Sequence, residues 1–405
     1  MDWYYYIALA AIVSQLVFLL QTYSNYRYAL KKYRRKRSWY RPRAVLIVPC
    51  KGLDSAFREN ITSFFDLDYE NYLLWFVVAD ESDPAYDELC DLKNRLETDS
   101  KAQDVQVFVA GHSRSCGQKI HNLLYCYERI GDDVEVLAFA DSDICVRSNW
   151  LSHIVYPLRQ SKHGVASGYR WYIPKRNNLA SLALSAMNAK IAQLLGNTPF
   201  NQAWGGSMAI RVDVFRRLGL DKIWAKALSD DLSLSGAVKK AGMKVAFVPA
   251  CLVASYEATS WRGLFEFSRR QFLITRVSAA RTWWLGLCSS LYSVLGIWGA
   301  AGVAVYAARI QHENMLLFAA VPVVFFASQL ARVILRQRMA HKLLAQEQQA
   351  MRAAWVADIL AFWLWSLLLL LLIVASAFGR TIRWRGIRYK LLSPTETVVV
   401  GDGKS

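Results

Sequence analysis

This sequence contains no CxxC pair, no cysteine spacing suited to a metal and no GxGxxG motif. Its seven cysteines (50, 90, 116, 126, 145, 251, 288) are odd in number, and six fall in the central region. That pattern reads as free thiols in a reducing compartment, or simply as small buried hydrophobes. The missing glycine fingerprint after the first apolar strand argues against a dinucleotide oxidoreductase. There is no internal repeat and no low-complexity tract. A net charge of +17 raises nucleic acid, acidic substrates or a membrane surface as partners. No nucleic-acid motif accompanies it, so nucleic acid is not expected as a partner. Acidic residues are absent from residues 27–43, where nine Lys and Arg sit beside an apolar run. That arrangement favours the membrane.

What the sequence does have is apolar surface, at 54% of residues, and 15 tryptophans. A soluble chain rarely hides that much from water. The apolar residues pile up at the two ends, while residues 44–280 read as an ordinary globular domain. The first run, Trp3 to Leu20, is just long enough to span hydrocarbon. Asp2 precedes it and Gln21-Thr22-Tyr23 follows, unlike a cleaved signal peptide. Residues 1–22 are therefore expected to be an uncleaved anchor, with the basic segment 23–43 on the cytosolic side. Three further runs, at about Trp283–Ala308, Met315–Leu335 and Trp355–Phe378, lie within a C-terminal helical region, 281–379. Tryptophans at several of their ends suit interfacial anchors. A basic tail, 380–405, closes the chain.

Within the central domain, Ala44–Val48, Leu73–Val78, Val105–Val109 and Val134–Phe139 are nearly continuous apolar runs, as in strands covered on both faces. Helical patterns at about Ser55–Phe65, Pro84–Leu96 and Gly117–Ile130 separate them. The β-α-β-α order predicts a parallel, Rossmann-like α/β sheet. Ligands bind beyond the carboxyl ends of such strands, and four polar clusters fall at or near such positions. Asp141-Ser142-Asp143 ends the fourth strand, offering two hard oxygen ligands from one turn for Mg²⁺ or Mn²⁺, although a solvated turn is the plain alternative. Asp80 ends the second strand and is a candidate for the nucleobase or ribose, with Asp83 the expected cap of the helix at Pro84. Asp230-Asp231 opens a later helix, where a carboxylate either serves as general base or complements the helix dipole. The apolar stretch Leu179–Leu195 reads as a lipid-facing wall or as core packing.

Together these elements resemble the family 2 glycosyltransferases of GT-A fold, and more closely the ceramide glucosyltransferase family and its bacterial relatives. The matches are Pro49, Lys51, Gly52 and Asp54; Asp80, Asp83 and Pro84; Lys119, Ile120, Asn122 and Leu123; Asp141 and Asp143; Gly205 to Ala209; Asp230 and Asp231; and Trp384, Arg385, Gly386 and Tyr389. The resemblance implies a GT-A domain combined with transmembrane helices. It implies Asp231 as catalytic base, Asp80 at the nucleotide, and Asp141 and Asp143 holding the diphosphate through Mg²⁺ or Mn²⁺. Lys51 and Lys119 would offset phosphate charge, with Asp230 beside the base. Gly205 and Gly206 would admit the sugar close to the backbone, or form a mere turn. The family's QxxRW pattern is degenerate here. Ile274 stands three after Gln271 and no Trp follows, so Arg270, Gln271 and Arg276 are candidates for the equivalent job, with a basic interfacial helix as the plain alternative.

The resulting expectation is a multi-pass membrane enzyme with a cytosolic catalytic domain, in a bacterial inner membrane or in Golgi or ER membrane. It moves a sugar, glucose first among candidates, from a UDP-sugar to a lipid hydroxyl such as that of ceramide, with inversion. The rivals are a processive polysaccharide synthase and a non-catalytic nucleotide-binding scaffold. Four full spans would leave the tail outside, against its cluster of Arg380, Arg383, Arg385, Arg388 and Lys390. A re-entrant C-terminal run would keep the tail inside.

Overall fold

The computed structural model describes residues 3–35, 39–54 and 56–402. Lys36 and Arg37 of the basic block, and Ser55 at the expected start of the first domain helix, lie outside the described residues. The expected anchor and much of the basic segment form one helix, α1 (Trp3–Tyr33). The domain then runs β1 (Ala44–Pro49), α2 (Phe57–Phe65), β2 (Tyr72–Val78), α3 (Pro84–Leu96), β3 (Asp104–Val109), α4 (Gln118–Tyr127), β4 (Val136–Ala140) and α5 (Trp150–Val155). It continues with β5 (His163–Pro174), α6 (Leu179–Ala192), β6 (Ser207–Arg211), α7 (Val212–Arg217), α8 (Leu220–Trp224), α9 (Asp230–Lys240), β7 (Lys244–Glu257) and α10 (Trp261–Ser278).

The seven strands order as β3-β2-β1-β4-β6-β5-β7. The four strands read from the sequence are parallel to one another. The expectation of a purely parallel sheet is corrected by β6, which pairs antiparallel with both β4 and β5. Every residue of β2 is buried, and each fully buried Leu, Val or Phe there contributes roughly 1.5–3 kcal/mol. Two apolar layers cover the sheet, one on each face. At α3, Pro84 sits in the first turn and the Asp83 side chain accepts from Ala85 N, as expected of the cap.

The membrane region comprises α11 (Ala280–Val294), a π turn (Leu295–Gly299), α12 (Ala300–Arg309), α13 (Met315–Leu343) and α14 (Gln348–Ala375). Four helical stretches, including α1, are long and apolar enough to cross a membrane. One of them does not run straight. At Ala361, inside α14, the backbone leaves helical geometry (φ −121°, ψ 17°). The Trp365 indole N–H donates to the Ala357 carbonyl at 3.1 Å, the acceptor that the Ala361 N–H would use in a regular helix. A side chain inserted into the ladder is a recognised cause of a kink. Before the kink, Asp358 meets Arg336 and Gln337 of α13, deep in the bundle. At the kink, Phe362 and Trp363 reach Phe326 and Trp298. Beyond it, Ser366 accepts from Lys190 of α6 (2.6 Å) and Ser376 accepts from the Trp283 indole (2.9 Å). Met351 near one end packs with Trp171, and Leu369 and Leu372 near the other pack with Tyr172. Both ends of α14 therefore return to the catalytic domain.

The tail follows the same geometry. Strands β8 (Thr381–Trp384), β9 (Ile387–Ser393) and β10 (Glu396–Asp402) form an antiparallel sheet. Ile382, Tyr389 and Leu391 bury against Leu228, Leu273 and Ile274 of the domain. A tail packed on the domain is the arrangement that the re-entrant alternative expects. The re-entrant alternative fits the kink. Leu179–Leu195 is mostly core: α6 buries along β5 and α14. Single cysteines introduced as Asp99→Cys in the domain and Val400→Cys in the tail, with native cysteines replaced, are expected to react together in sealed vesicles. An impermeant thiol reagent that separated the two would overturn the shared side.

Candidate active site

The site assembles where β4 ends, β6 begins and two helices start. Lys119, in the first turn of α4, places its ammonium 2.7 Å from Asp141 and 3.0 Å from Asp230, and donates to the Gly205 carbonyl at 3.1 Å. The ammonium is thus held among two carboxylates and a carbonyl, and it organises this cluster. Asp231, in the first turn of α9, accepts from the Gly205 N–H (3.1 Å), the Leu232 N–H (2.7 Å) and the Ser229 hydroxyl (2.5 Å). The two glycines are required by close approach. A Cβ on Gly205 would stand 2.4 Å from Asp230, and one on Gly206 would stand 2.5 Å from Asp141.

Charge balance shapes the cluster. Burial alone would raise the Asp141 carboxyl, but Lys119 and Arg170 outweigh it and hold it low. Burial raises Asp143, with the negative Asp141 adding to it against Arg170. Asp230 is likewise raised by burial, against the pull of Lys119. Arg170 is a site residue that sequence reasoning missed. Lying on β5, it reaches Asp141 at 3.6 Å and Asp143 at 3.8 Å while stacking over Trp204. Its signal was available: a lone cation in the apolar run Val165–Ile173 had to be paired.

A second group of candidate residues lies at the ends of β1 and β2, of which β1 neighbours β4 in the sheet. Asp80 is half-exposed, accepts from the Ser82 N–H at 2.8 Å and faces His112 at 3.4 Å. Asp83 ties the two strand ends by also accepting from Gly52 N–H at 2.7 Å. Lys51 is exposed and donates to the Arg385 carbonyl at 3.0 Å. A cavity of 720 Å³ opens beside Asp143, with Asp54, Lys175, Glu257, Glu347 and Arg385 on its walls.

The three candidates on α10 separate. Arg270 lies between the Phe267 and Trp384 rings, toward the site. Gln271 is exposed. Arg276 donates through its guanidinium to the Ala377 and Gly379 carbonyls, and Arg269 donates to that of Phe378. The two arginines share a helix face, and that face holds the segment that follows α14.

Among the described residues no group of three or more His, Cys, Asp or Glu could hold a metal. The DxD pair nonetheless suits a hard divalent cation completed by diphosphate oxygens. Its donors are carboxylate oxygens, and Asp143 Oδ1 is buried with no hydrogen-bond partner.

A mixed sheet with this cluster at its strand ends, joined to apolar helices, defines a membrane glycosyltransferase with a domain resembling the GT-A type. The chain belongs to glycosyl transferase family 21, whose model matches residues 4–397. Two solved structures are also similar. One is the mannosyltransferase PcManGT from Pyrobaculum calidifontis in complex with GDP-Man and Mn²⁺, at 16% identity over 91% of this chain and 97% of that one, with a TM-score of 0.43. The other is GalNAc-T7 with UDP, GalNAc and Mn²⁺, at 14% identity over 60% and 52%, with a TM-score of 0.40. Likenesses this slight say nothing about donor or acceptor.

Proposed function

We propose that this chain transfers a hexose, glucose first, from a UDP-sugar to the primary hydroxyl of a ceramide-like lipid, inverting the anomeric centre. The observation that supports it most is the carboxylate constellation of Asp141, Asp143, Asp230 and Asp231 at one sheet edge of a family 21 chain. Asp231 takes the proton from the attacking hydroxyl. Asp141 and Asp143 would hold Mg²⁺ or Mn²⁺, which supplies charge neutralisation at the leaving diphosphate. Lys119 and Arg170 fix the two carboxylates, and Asp80 meets the base or ribose. The lipid would come from the bilayer side, along α6, α10 and α14.

The charge pattern supports a cytosolic domain. With the tail on the domain's side, which its packing on the domain supports, the basic block after the anchor and the five cations of the tail would share one side, as the positive-inside rule asks. With the amino terminus outside, α1 enters, α11–α12 leaves, α13 returns and α14 dips and comes back. The full chain in detergent should convert UDP-glucose and ceramide to glycosylceramide, monitored by mass spectrometry, with UDP-galactose and GDP-mannose compared. Polymer in place of glycolipid would favour the polysaccharide synthase, and absence of both transfer and donor hydrolysis would favour the scaffold.

A further inference from the structure

We infer that Arg385, carried by the C-terminal sheet, is a binding residue for the donor's diphosphate, in addition to the residues assigned above. This rests on the nucleotide-sugar reading.

Arg385 and Gly386 form the two-residue turn between β8 and β9, with Trp384 paired to Ile387. Both turn residues have positive φ, +47° at Arg385 and +89° at Gly386, the conformation that a tight hairpin demands. Asparagine or glycine adopts it more readily than arginine, whose Cβ is crowded there. A strained arginine at an exposed tip invites the question of what it reaches.

The tip meets the end of β1. The Arg385 guanidinium donates through Nη1 to the Lys51 carbonyl at 2.7 Å, and Lys51 Nζ donates back to the Arg385 carbonyl at 3.0 Å. Behind the tip, Tyr389 is buried and its hydroxyl accepts from the Gln118 N–H at 3.3 Å, at the start of α4. The turn is thus clamped to the two elements that present Lys51 and Lys119. The guanidinium faces the cavity shared by Asp54 and Asp143, and its charge adds to those holding Asp141 and Asp143 toward the ionised form.

The other cations of the cluster are engaged. Lys119 is ion-paired with Asp141 and Asp230 and donates to the Gly205 carbonyl, and Arg170 is tied to both DxD carboxylates. Arg270 lies over the ring of Trp384, the residue before Arg385. Arginine presents a planar fork of five donors suited to phosphate oxygens. One is used at Lys51, which orients the rest. A diphosphate held at the DxD pair through a cation still carries charge on its outer oxygens, and a guanidinium across the cavity from that pair meets it. The transfer breaks the bond between the sugar's anomeric carbon and the β-phosphate oxygen. The electron pair leaves with the diphosphate, so a cation there gains in attraction as the bond breaks.

The test is equilibrium binding of UDP with Mn²⁺ to the full chain in detergent, for wild type, Arg385→Ala and Arg385→Lys. Loss of a charged hydrogen bond weakens binding roughly 10–100-fold. Arg385→Ala is expected to lose that much, Arg385→Lys to regain part of it, and the ligand-free melting temperature to stay near wild type. Wild-type UDP affinity in Arg385→Ala would overturn the inference. An equal loss in both variants with a lowered melting temperature would also overturn it, showing that Arg385 only anchors the tail. A wild-type chain that binds neither UDP nor GDP would instead overturn the nucleotide-sugar reading beneath it.

Discussion

Asp231→Asn is expected to lower sugar transfer by roughly 10²–10⁴-fold, the range general-base assistance supplies. The carboxylate takes the acceptor's proton as the oxygen attacks, and an amide cannot. The geometry makes the substitution a clean one. The Asn carbonyl oxygen can keep accepting from the Leu232 N–H and the Ser229 hydroxyl, the contacts Asp231 makes through one oxygen. Its NH₂ group would face the Gly205 N–H, donor against donor, where Asp231 now accepts. That loses one hydrogen bond, about 1 kcal/mol, small against the catalytic loss. UDP binding and melting should therefore change little while turnover collapses. Single-turnover transfer measured beside UDP affinity makes the comparison. Turnover near wild type would remove Asp231 from the role. A collapse confined to Asp230→Asn would move the role to its neighbour.

Excess chelator is expected to abolish transfer, with Mn²⁺ or Mg²⁺ restoring it, and Asp143→Ala should cost at least about 10²-fold, since a Lewis acid at the leaving group supplies several kcal/mol. Fold stability should behave differently. Asp143 Oδ1 is buried without a partner, and an uncompensated buried oxygen is costly. Arg170 would still keep Asp141 at 3.6 Å. The variant should therefore melt no lower than wild type even as it loses activity. Full activity in chelator would overturn the metal role, and a large fall in melting temperature would recast Asp143 as a structural partner of Arg170.

Much of the site was legible because strands buried on both faces announce themselves as unbroken apolar runs, and polar residues at their ends stand out. Asp80, Asp141 and Asp143 were found that way, and Asp83 proved to be the cap that its place before Pro84 suggested. Arg170 escaped because it lies inside a long strand: a lone cation in an apolar run signals that it must be paired, but not with which residues. The contacts of Arg276 were not legible, because a basic helix face reads the same whether it meets a diphosphate or backbone carbonyls. Ala361 gave no warning, since the kink comes from the Trp365 indole capturing a carbonyl, an event between side chain and backbone that carries no breaker residue.

The amino-acid sequence by itself determined the apolar helices long enough to span a membrane, the first four strands with the helices between them, and most of the candidate residues that the structure gathers at the strand ends. Apolar periodicity and local capping act over a few residues and need no partner to be read. Tertiary structure alone decided that Lys119 is locked between Asp141 and Asp230, that β6 runs against its neighbours, and that α14 returns to the domain. It alone brought the tail's Arg385 to Lys51, 334 positions earlier in the chain, because such contacts depend on which buried surfaces close over one another.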